Sequence, residues 1–577
     1  MNKFALLILS STLTMTTLQA QEKTVKLKII ETSDVHGMFF PVNYTTGREV
    51  KGSMARVSKY IKRARKEYGS NLIVLENGDI LQGQPTNYYW NFINKKDVNI
   101  ASKVVNYIGY DAQAFGNHDI ETGHACYDKW VKELECPVLG ANVINTKTGE
   151  PYTKPYIIKE KDGVRIAIIG MLTPAIPNWL EKKIWSGIRF EDIIKSAKRW
   201  IKVVKEEEKA DIVIGLFHSG LEGGITTEKY SENESMTVAE QVPGFDVIMF
   251  GHDHTPYANF VRDSLNQRAT LLINPANNAR TLADTEITLT VKNGEITDKE
   301  IYGQLINLDD VSIDDDYMEF FDKDIKKLKK FTSQPIGYIE NNIYTRDGYF
   351  GSSAFIDLIH NLQLSITGAD ISFNAPLSFD AIIPKGELTM ADMFNLYKYE
   401  NKLCVLQMTG KEIKDYLEYS YSLWTNTMKT DKDHLLLLAP TKSNAERQGF
   451  ANAYFNFDSA AGIIYEVDVR KPAGQKIKII QMANGEKFSE EKTYKVAMNS
   501  YRANGGGELI TKGAMIPKEK IAERTVWTSE QDQRYYLTEE IKRLGHIAPK
   551  ANNNWKFVPE KLVKSAALSD RHLLFNE

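Results

Sequence analysis

Five short motifs gather the side chains able to hold a metal ion: Asp34-Val35-His36, Gly78-Asp79, Gly116-Asn117-His118-Asp119, His218 and Gly251-His252-Asp253-His254. Half of the chain's 10 histidines fall inside them. Carboxylate and imidazole together suit divalent transition metals such as Zn, Mn, Co or Fe. The three cysteines, Cys126, Cys136 and Cys404, form no CxxC pair, which argues against both a disulfide scaffold and a thiolate zinc site. Any metal must therefore rely on His, Asp, Glu or Asn. Roughly six to eight such ligands are too many for one ion and suit two, about 3.5–4 Å apart and bridged by a carboxylate. That arrangement clamps the attacking and leaving oxygens of a displacement at phosphorus. Any one motif alone is more often structural; the five in series are hard to explain as core packing.

Each motif follows a predicted strand. Apolar runs rich in Val and Ile occupy residues 25–32, 72–76, 112–115, 164–170, 212–217, 247–250 and 271–273. Helical stretches lie between them, as at 56–68 and 190–209, giving an α/β domain over 25–308. Ligand sites in such domains collect at the carboxyl ends of strands. Residues 309–333 place Asp309, Asp310, Asp314, Asp315 and Asp316 ahead of Lys323, Lys326, Lys327, Lys329 and Lys330, which predicts a charged, solvated linker helix. A second domain follows over 334–565, with helices at 351–367, 390–397 and 410–419 and strands at 403–408, 463–468, 476–480 and 494–498. The polar stretch 425–449 reads as an inserted loop.

The chain has 577 residues, 42% apolar and 25% charged, enough for two or three globular domains. With 72 basic and 75 acidic residues its net charge is −3, so no global basic field exists to attract nucleic acid or an anionic membrane. Lys3, an apolar run from Phe4 that continues to Leu18, and Leu18-Gln19-Ala20 before Gln21 have the layout of a cleavable signal peptide over residues 1–20. No later stretch reaches the roughly 18 apolar residues of a membrane span. The expected location is the periplasm or the exterior.

The motif series DVH, GD, GNHD, H and GHDH resembles the calcineurin-like metallophosphoesterases. In the second domain, ADISFNAPL, LYKYENKLCVLQMTGKEIKDYLE, FNFDSAAGIIYEVDV and VAMNSYRANGGGE resemble the C-terminal domain of the periplasmic 5′-nucleotidase / 2′,3′-cyclic-nucleotide 2′-phosphodiesterase family. The resemblance spans about residues 25 to 560. It implies a four-layer first domain, two β-sheets flanked by helices, joined by a helix to an α/β substrate-binding domain. It implies two divalent ions: one held by Asp34, His36, Asp79 and His254, the other by Asp79, Asn117, His218 and His252. Asp79 bridges, and water between the ions is the nucleophile. His118 does not ligate; it donates to a phosphoryl or leaving oxygen. Many relatives orient this histidine with an aspartate three residues on, where this chain has the longer Glu121. Asp119 and Asp253 are expected to support the loops, and His124 to be structural.

The resemblance further assigns Tyr399 and Tyr501 to sandwich a nucleobase, a contact worth roughly 1–3 kcal/mol per base. Asn401 and Glu508 are near enough in sequence to read polar edges, and Gly505-Gly506-Gly507 would let backbone approach the ligand. The implied partners are nucleotides, with no nucleic-acid polymer, and the expected state is a monomer. The 5′-nucleotidase branch carries a glycine-rich turn with an arginine that grips phosphate. This chain instead reads Phe373-Asn374-Ala375-Pro376-Leu377-Ser378, with Arg346 the nearest upstream substitute. That departure favours a 2′,3′-cyclic-nucleotide 2′-phosphodiesterase / 3′-nucleotidase; the alternative is a 5′-nucleotidase or nucleotide-sugar hydrolase with the same metal chemistry.

Overall fold

The computed structural model describes residues 22–440 and 447–577. The expected signal peptide, and residues 441–446 of the expected inserted loop, lie outside the described residues.

Twelve strands carry the first domain: β1 (Glu22–Thr32), β2 (Leu72–Glu76), β3 (Ala112–Ala114), β4 (Val138–Leu139), β5 (Tyr156–Lys161), β6 (Val164–Leu172), β7 (Ile212–His218), β8 (Val247–Phe250), β9 (Tyr257–Arg262), β10 (Ala269–Asn274), β11 (Thr281–Lys292) and β12 (Glu295–Asn307). They form two sheets, ordered β12-β11-β1-β2-β3-β4 and β9-β10-β8-β7-β6-β5. Leu27 and Ile29 of β1 and Ile73 and Leu75 of β2 pack against Ile166, Ile168, Ile214 and Leu216 of the other sheet. The outer face of the first sheet is covered by α1 (Met54–Tyr68) through Val57 and Ile61. The outer face of the second is covered by α2 (Ile193–Lys202) and α3 (Ser235–Gln241) through Ala197, Ile201 and Val238. Four layers result, and burial on both faces explains why β2, β7 and β8 read as nearly unbroken apolar runs.

The β11–β12 pair was not among the predicted strands. It is an antiparallel hairpin paired from Thr281↔Asn307 to Lys292↔Glu295, with a bulge between Thr290 and Val291. Its turn is Asn293-Gly294, both with positive φ, a strong hairpin signal flanked here by alternating residues. The predicted linker is two helices, α4 (Asp315–Phe320) and α5 (Asp322–Thr332). Their lysines face solvent, but Tyr317, Phe321, Ile325 and Leu328 are buried in the first domain's core, so only one face is solvated.

The second domain is built on a five-stranded sheet. Its strands are β13 (Ile371–Asn374), β14 (Lys402–Thr409), β15 (Ser459–Ala461), β16 (Thr493–Asn499) and β17 (Thr525–Asp532), in the order β15-β13-β16-β14-β17. Helix α6 (Ala354–Thr367) precedes β13, and α7 (Gly410–Trp424) follows β14. Thr409 and Glu412 start α7 with reciprocal capping bonds of 2.8 and 3.2 Å. The stretch expected as a free loop is partly core: Leu435 and Leu436 are buried, and Leu436 N–H donates to Asp570 Oδ2 at 2.9 Å. Between the domains, Tyr88 Oη donates to Asp532 at 2.9 Å and Gln82 Nε2 to Glu400 at 3.2 Å. Among the described residues no helix is long and apolar enough to cross a membrane.

Candidate metal centre and interdomain cleft

Strands β1, β2 and β3 run parallel to one another, as do β7 and β8. Their carboxyl ends deliver the five motifs to one edge of the sandwich. Asp34, His36, Asp79, His252 and His254 all take left-handed backbone angles, φ from 48° to 78°. Non-glycine residues rarely hold that conformation, and it persists where surrounding contacts fix it. Here Asp34 N–H donates to Gly78 O and His36 N–H to Asp79 O, both at 3.0 Å. The Asp119 carboxylate accepts from the backbone N–H groups of Asp79, Ile80, Leu81 and Gly116 at 2.8–3.0 Å, tying two motif loops together. Asp253 similarly accepts from Leu221 N–H at 2.8 Å. A Cβ on Gly116 would lie 2.1 Å from Asp79 N and Oδ1, so only glycine admits the two loops this closely.

Two overlapping clusters result. One oxygen or nitrogen each from Asp34, His36, Asp79 and His254 lies within 4.8 Å of the others, and the same holds for Asp79, His218 and His252. Asp79 is common to both. His36 Nε2 faces His254 Nε2 at 3.0 Å, His254 Nε2 is 3.2 Å from Asp34 Oδ1, and His218 Nε2 is 3.3 Å from Asp79 Oδ2. Asn117 Oδ1 joins the second cluster, 3.1 Å from His218 Nε2. Asp34 Oδ1 is buried with no aligned hydrogen-bond donor, an orphaned anion that a cation would satisfy. The donor set, its convergence and this orphan fit two divalent ions.

The electrostatics agree. Burial drives the His36 ring down to about 4 against the pull of Asp79, leaving it a neutral ligand. Burial opposes charge on His218 too, but attraction to Asp79 and Asp34 outweighs it and raises the ring to about 9. Burial likewise opposes the Asp34 carboxylate, yet His218 and His254 bring it down to about 2. Without ions, protonated imidazole offsets the buried carboxylates, so metal binding must release protons.

His118 stands beside the first cluster, its ring centroid 5.6 Å from that of His36. Its Nδ1 meets Glu121 Oε2 at 2.6 Å, so the longer side chain reaches the place expected of an aspartate. Against burial, Asp79 and Glu121 raise His118 to about 10. His124 bonds Ser186 O at 2.8 Å and Tyr127 Oη at 2.8 Å, a structural arrangement.

A cleft of about 600 Å³ opens over His36, His118 and His254, within the size range of small-molecule sites. Lys51 and Arg280 line it from the first domain, Lys398 and Tyr399 from the second. Tyr399 precedes β14 and Tyr501 follows β16; these strands are antiparallel neighbours with Leu403 opposite Asn499. That register brings both tyrosines to one end of the sheet. Tyr501 lies 6.4 Å from Phe455, centroid to centroid. Asn401 is buried, its carbonyl accepting from Gln533 N–H at 2.6 Å. Glu508 turns to Lys512 at 2.8 Å. Arg346 is not among the residues lining the cleft: its Nε meets Glu577 at 3.0 Å and its guanidinium covers Tyr344. The glycine run serves packing, with Gly506 O accepting from Arg502 Nη1 at 2.7 Å.

Three residues at this site went unrecognised in the sequence. Arg502 is buried, donates to both Asp458 oxygens at 2.8 and 3.0 Å and to Asn456 Oδ1 at 3.0 Å, and so clasps the two motifs FNFD and NSYRANGGG. Lys398 lies one position before the recognised Tyr399. Glu232 Oε1 contacts His252 Nε2 at 3.0 Å from a short hairpin, and no motif in the sequence marks it.

Residues 27–256 match the calcineurin-like phosphoesterase family and residues 335–512 the 5′-nucleotidase C-terminal domain. The chain belongs to the calcineurin-like phosphoesterases that carry this second domain, and it is a metal-dependent phosphoester hydrolase. A 2′,3′-cyclic-nucleotide 2′-phosphodiesterase/3′-nucleotidase of Yersinia enterocolitica is 26% identical, covering 95% of this chain and 90% of its own. One of the same name from Salmonella typhimurium is 28% identical, covering 93% and 89%. The fold matches that of a Staphylococcus aureus protein provisionally named a 5′-nucleotidase, with TM-score 0.75 and 21% identity over 92% of this chain and all of that one.

Proposed function

We propose that the chain is an exported, monomeric two-metal phosphoesterase that hydrolyses nucleotides, favouring 2′,3′-cyclic and 3′-nucleotides over 5′-nucleotides. The observation that carries this reading is the pair of clusters sharing Asp79 beneath a cleft whose far wall bears Tyr399. Asp34, His36, Asp79 and His254 hold one ion; Asp79, Asn117, His218 and His252 hold the other. Bound there, the ions supply Lewis acidity at the phosphoryl oxygens and activate the attacking water. His118 donates Nε2–H to the oxygen that gathers charge, while Glu121 holds Nδ1–H. Tyr399 and Tyr501 hold the base.

The cyclic preference rests on what lies opposite the metals. The β13 turn carries no arginine, Arg346 is paired with Glu577 and Asp380, and Lys398 is the second domain's cation on the cleft. On that wall one lysine, with no bidentate guanidinium beside it among the described lining residues, suits a singly charged cyclic diester better than a dianionic monoester. The names of the two long relatives support the same choice. The test is the ratio of kcat/KM for 2′,3′-cyclic AMP and 5′-AMP with Mn: a value well above one is expected, and a value well below one returns the chain to the 5′-nucleotidase alternative. Export is checked by the N-terminus of the periplasmic protein, expected near Gln21.

A further inference from the structure

His252 makes one ring hydrogen bond among the described residues, from Nε2 to Glu232 Oε1 at 3.0 Å. With Nε2 engaged, Nδ1 is the nitrogen left to face an ion. Glu232 is itself held. Its Oε2 accepts from Ile225 N–H at 2.7 Å across the hairpin, and its carbonyl accepts from Ser219 Oγ at 2.9 Å and Thr173 Oγ1 at 3.0 Å. The neighbouring Asn233 Oδ1 accepts from Gly220 N–H at 2.9 Å. A Cβ on Gly224 would sit 2.6 Å from Glu232 Oε2, so this bulged strand is shaped around the carboxylate. Trp179 supports the imidazole at 5.8 Å between centroids. The carboxylate is thus fixed on His252 Nε2, and Glu232 is not among the residues that converge with Asp79.

We propose that Glu232 is the positioning residue of the second metal site: it fixes the tautomer and orientation of His252 so that Nδ1 ligates, and its charge makes that nitrogen a stronger donor. Carboxylate partners of ligating histidines act in this way, and their loss costs about 10–100-fold in metal affinity. The assignment rests on the two-ion reading above. It also makes the hairpin Gly223–Thr226 / Ser231–Asn233 part of the metal site, although neither strand supplies a ligand.

The test is equilibrium dialysis of the full chain against graded Mn(II), with bound Mn counted by elemental analysis and the coupled pair followed by electron paramagnetic resonance. Wild type should bind two ions and give a coupled spectrum. E232A should keep first-ion affinity, lose second-ion affinity about 10–100-fold, and show an isolated six-line signal at Mn levels that fill both wild-type sites. E232Q keeps an acceptor without the charge and should fall between them, while both ion-free variants still unfold in one cooperative transition. Either folded variant binding its second Mn with wild-type affinity and spectrum overturns the role of Glu232. A wild type that binds one ion overturns the two-ion reading itself, and this assignment with it.

Discussion

Replacing His118 by alanine separates donor from ligand. His118 sits at the first turn of the segment after Gly116, its backbone N–H bonded to Asp79 Oδ1 at 2.8 Å and its Nδ1 to Glu121 at 2.6 Å. The backbone bond survives the substitution, and seven other side chains complete the two ligand sets, so both ions should stay. The loss is one positioned donor at the oxygen where charge develops. Removing such a donor costs about 10²–10³ in kcat, or roughly 2.7–4 kcal/mol of transition-state stabilisation. The assay is kcat on 2′,3′-cyclic AMP at saturating Mn, run beside a metal count on the same preparation. Glu121→Gln extends it: without the anion that helps hold His118 near 10, the ring loses its proton earlier. The alkaline fall of kcat should therefore move to lower pH. A His118→Ala enzyme that loses an ion would make His118 a ligand; one that keeps both ions and turns over within threefold of wild type would refute the donor role.

Asp79→Ala removes the group common to both clusters, and elemental analysis should find both ions lost rather than one. Arg502→Met leaves Asp458 buried without its cation, so unfolding by guanidinium should show a loss of about 3–5 kcal/mol. His360 lies buried between Ser372 and Ser459, and burial pushes its ring down to about 3. The unfolded chain takes up that proton below about 6.5 while the folded chain refuses it, so stability falls with pH through this window by about 1.4 kcal/mol per unit. Relative to His360→Gln, wild type should lose about 2 kcal/mol between pH 7 and pH 5 in denaturant titrations at the two values; parallel losses would count against it.

The metal-bearing half of the molecule was legible because each level points the same way. Runs such as 212–217 and 247–250 are apolar throughout, since β7 and β8 are covered on both faces, and a motif residue stands at each carboxyl end. The long β11–β12 hairpin escaped because its residues alternate with polar ones that face solvent, and its Asn293-Gly294 turn was passed over. The linker reads as solvated throughout for a related reason. Counting Asp and Lys exposes one face of α5 and hides the spacing of Phe321, Ile325 and Leu328, which is helical and buried.

The arginines show where reading residue types alone runs out. An arginine near a nucleotide site invites assignment to phosphate, and Arg346 received that role; the structure instead spends its buried guanidinium groups on scaffolding. Arg502 clasps the loop that carries Tyr501 through Asp458, Asn456 and Phe455 O. Arg534 does the same for the loop that carries Tyr399. It donates to Tyr397 O at 2.9 Å and Lys398 O at 2.6 Å, pairs with Glu400 at 3.1 Å, and lies 4.8 Å over the ring of Tyr88 in the first domain. Glu400 in turn accepts from Gln82, whose carbonyl meets His36 Nδ1 at 3.2 Å. Each tyrosine loop is thus held by one buried arginine, and one of them is linked through two hydrogen bonds to a candidate metal ligand. No spacing in the sequence encodes this, because each arginine lies far along the chain from the segment that its partners share, 455–458 for Arg502 and 397–400 for Arg534. It follows that weakening either arginine should disturb substrate binding through the aromatic loops, raising KM, before it disturbs the metals.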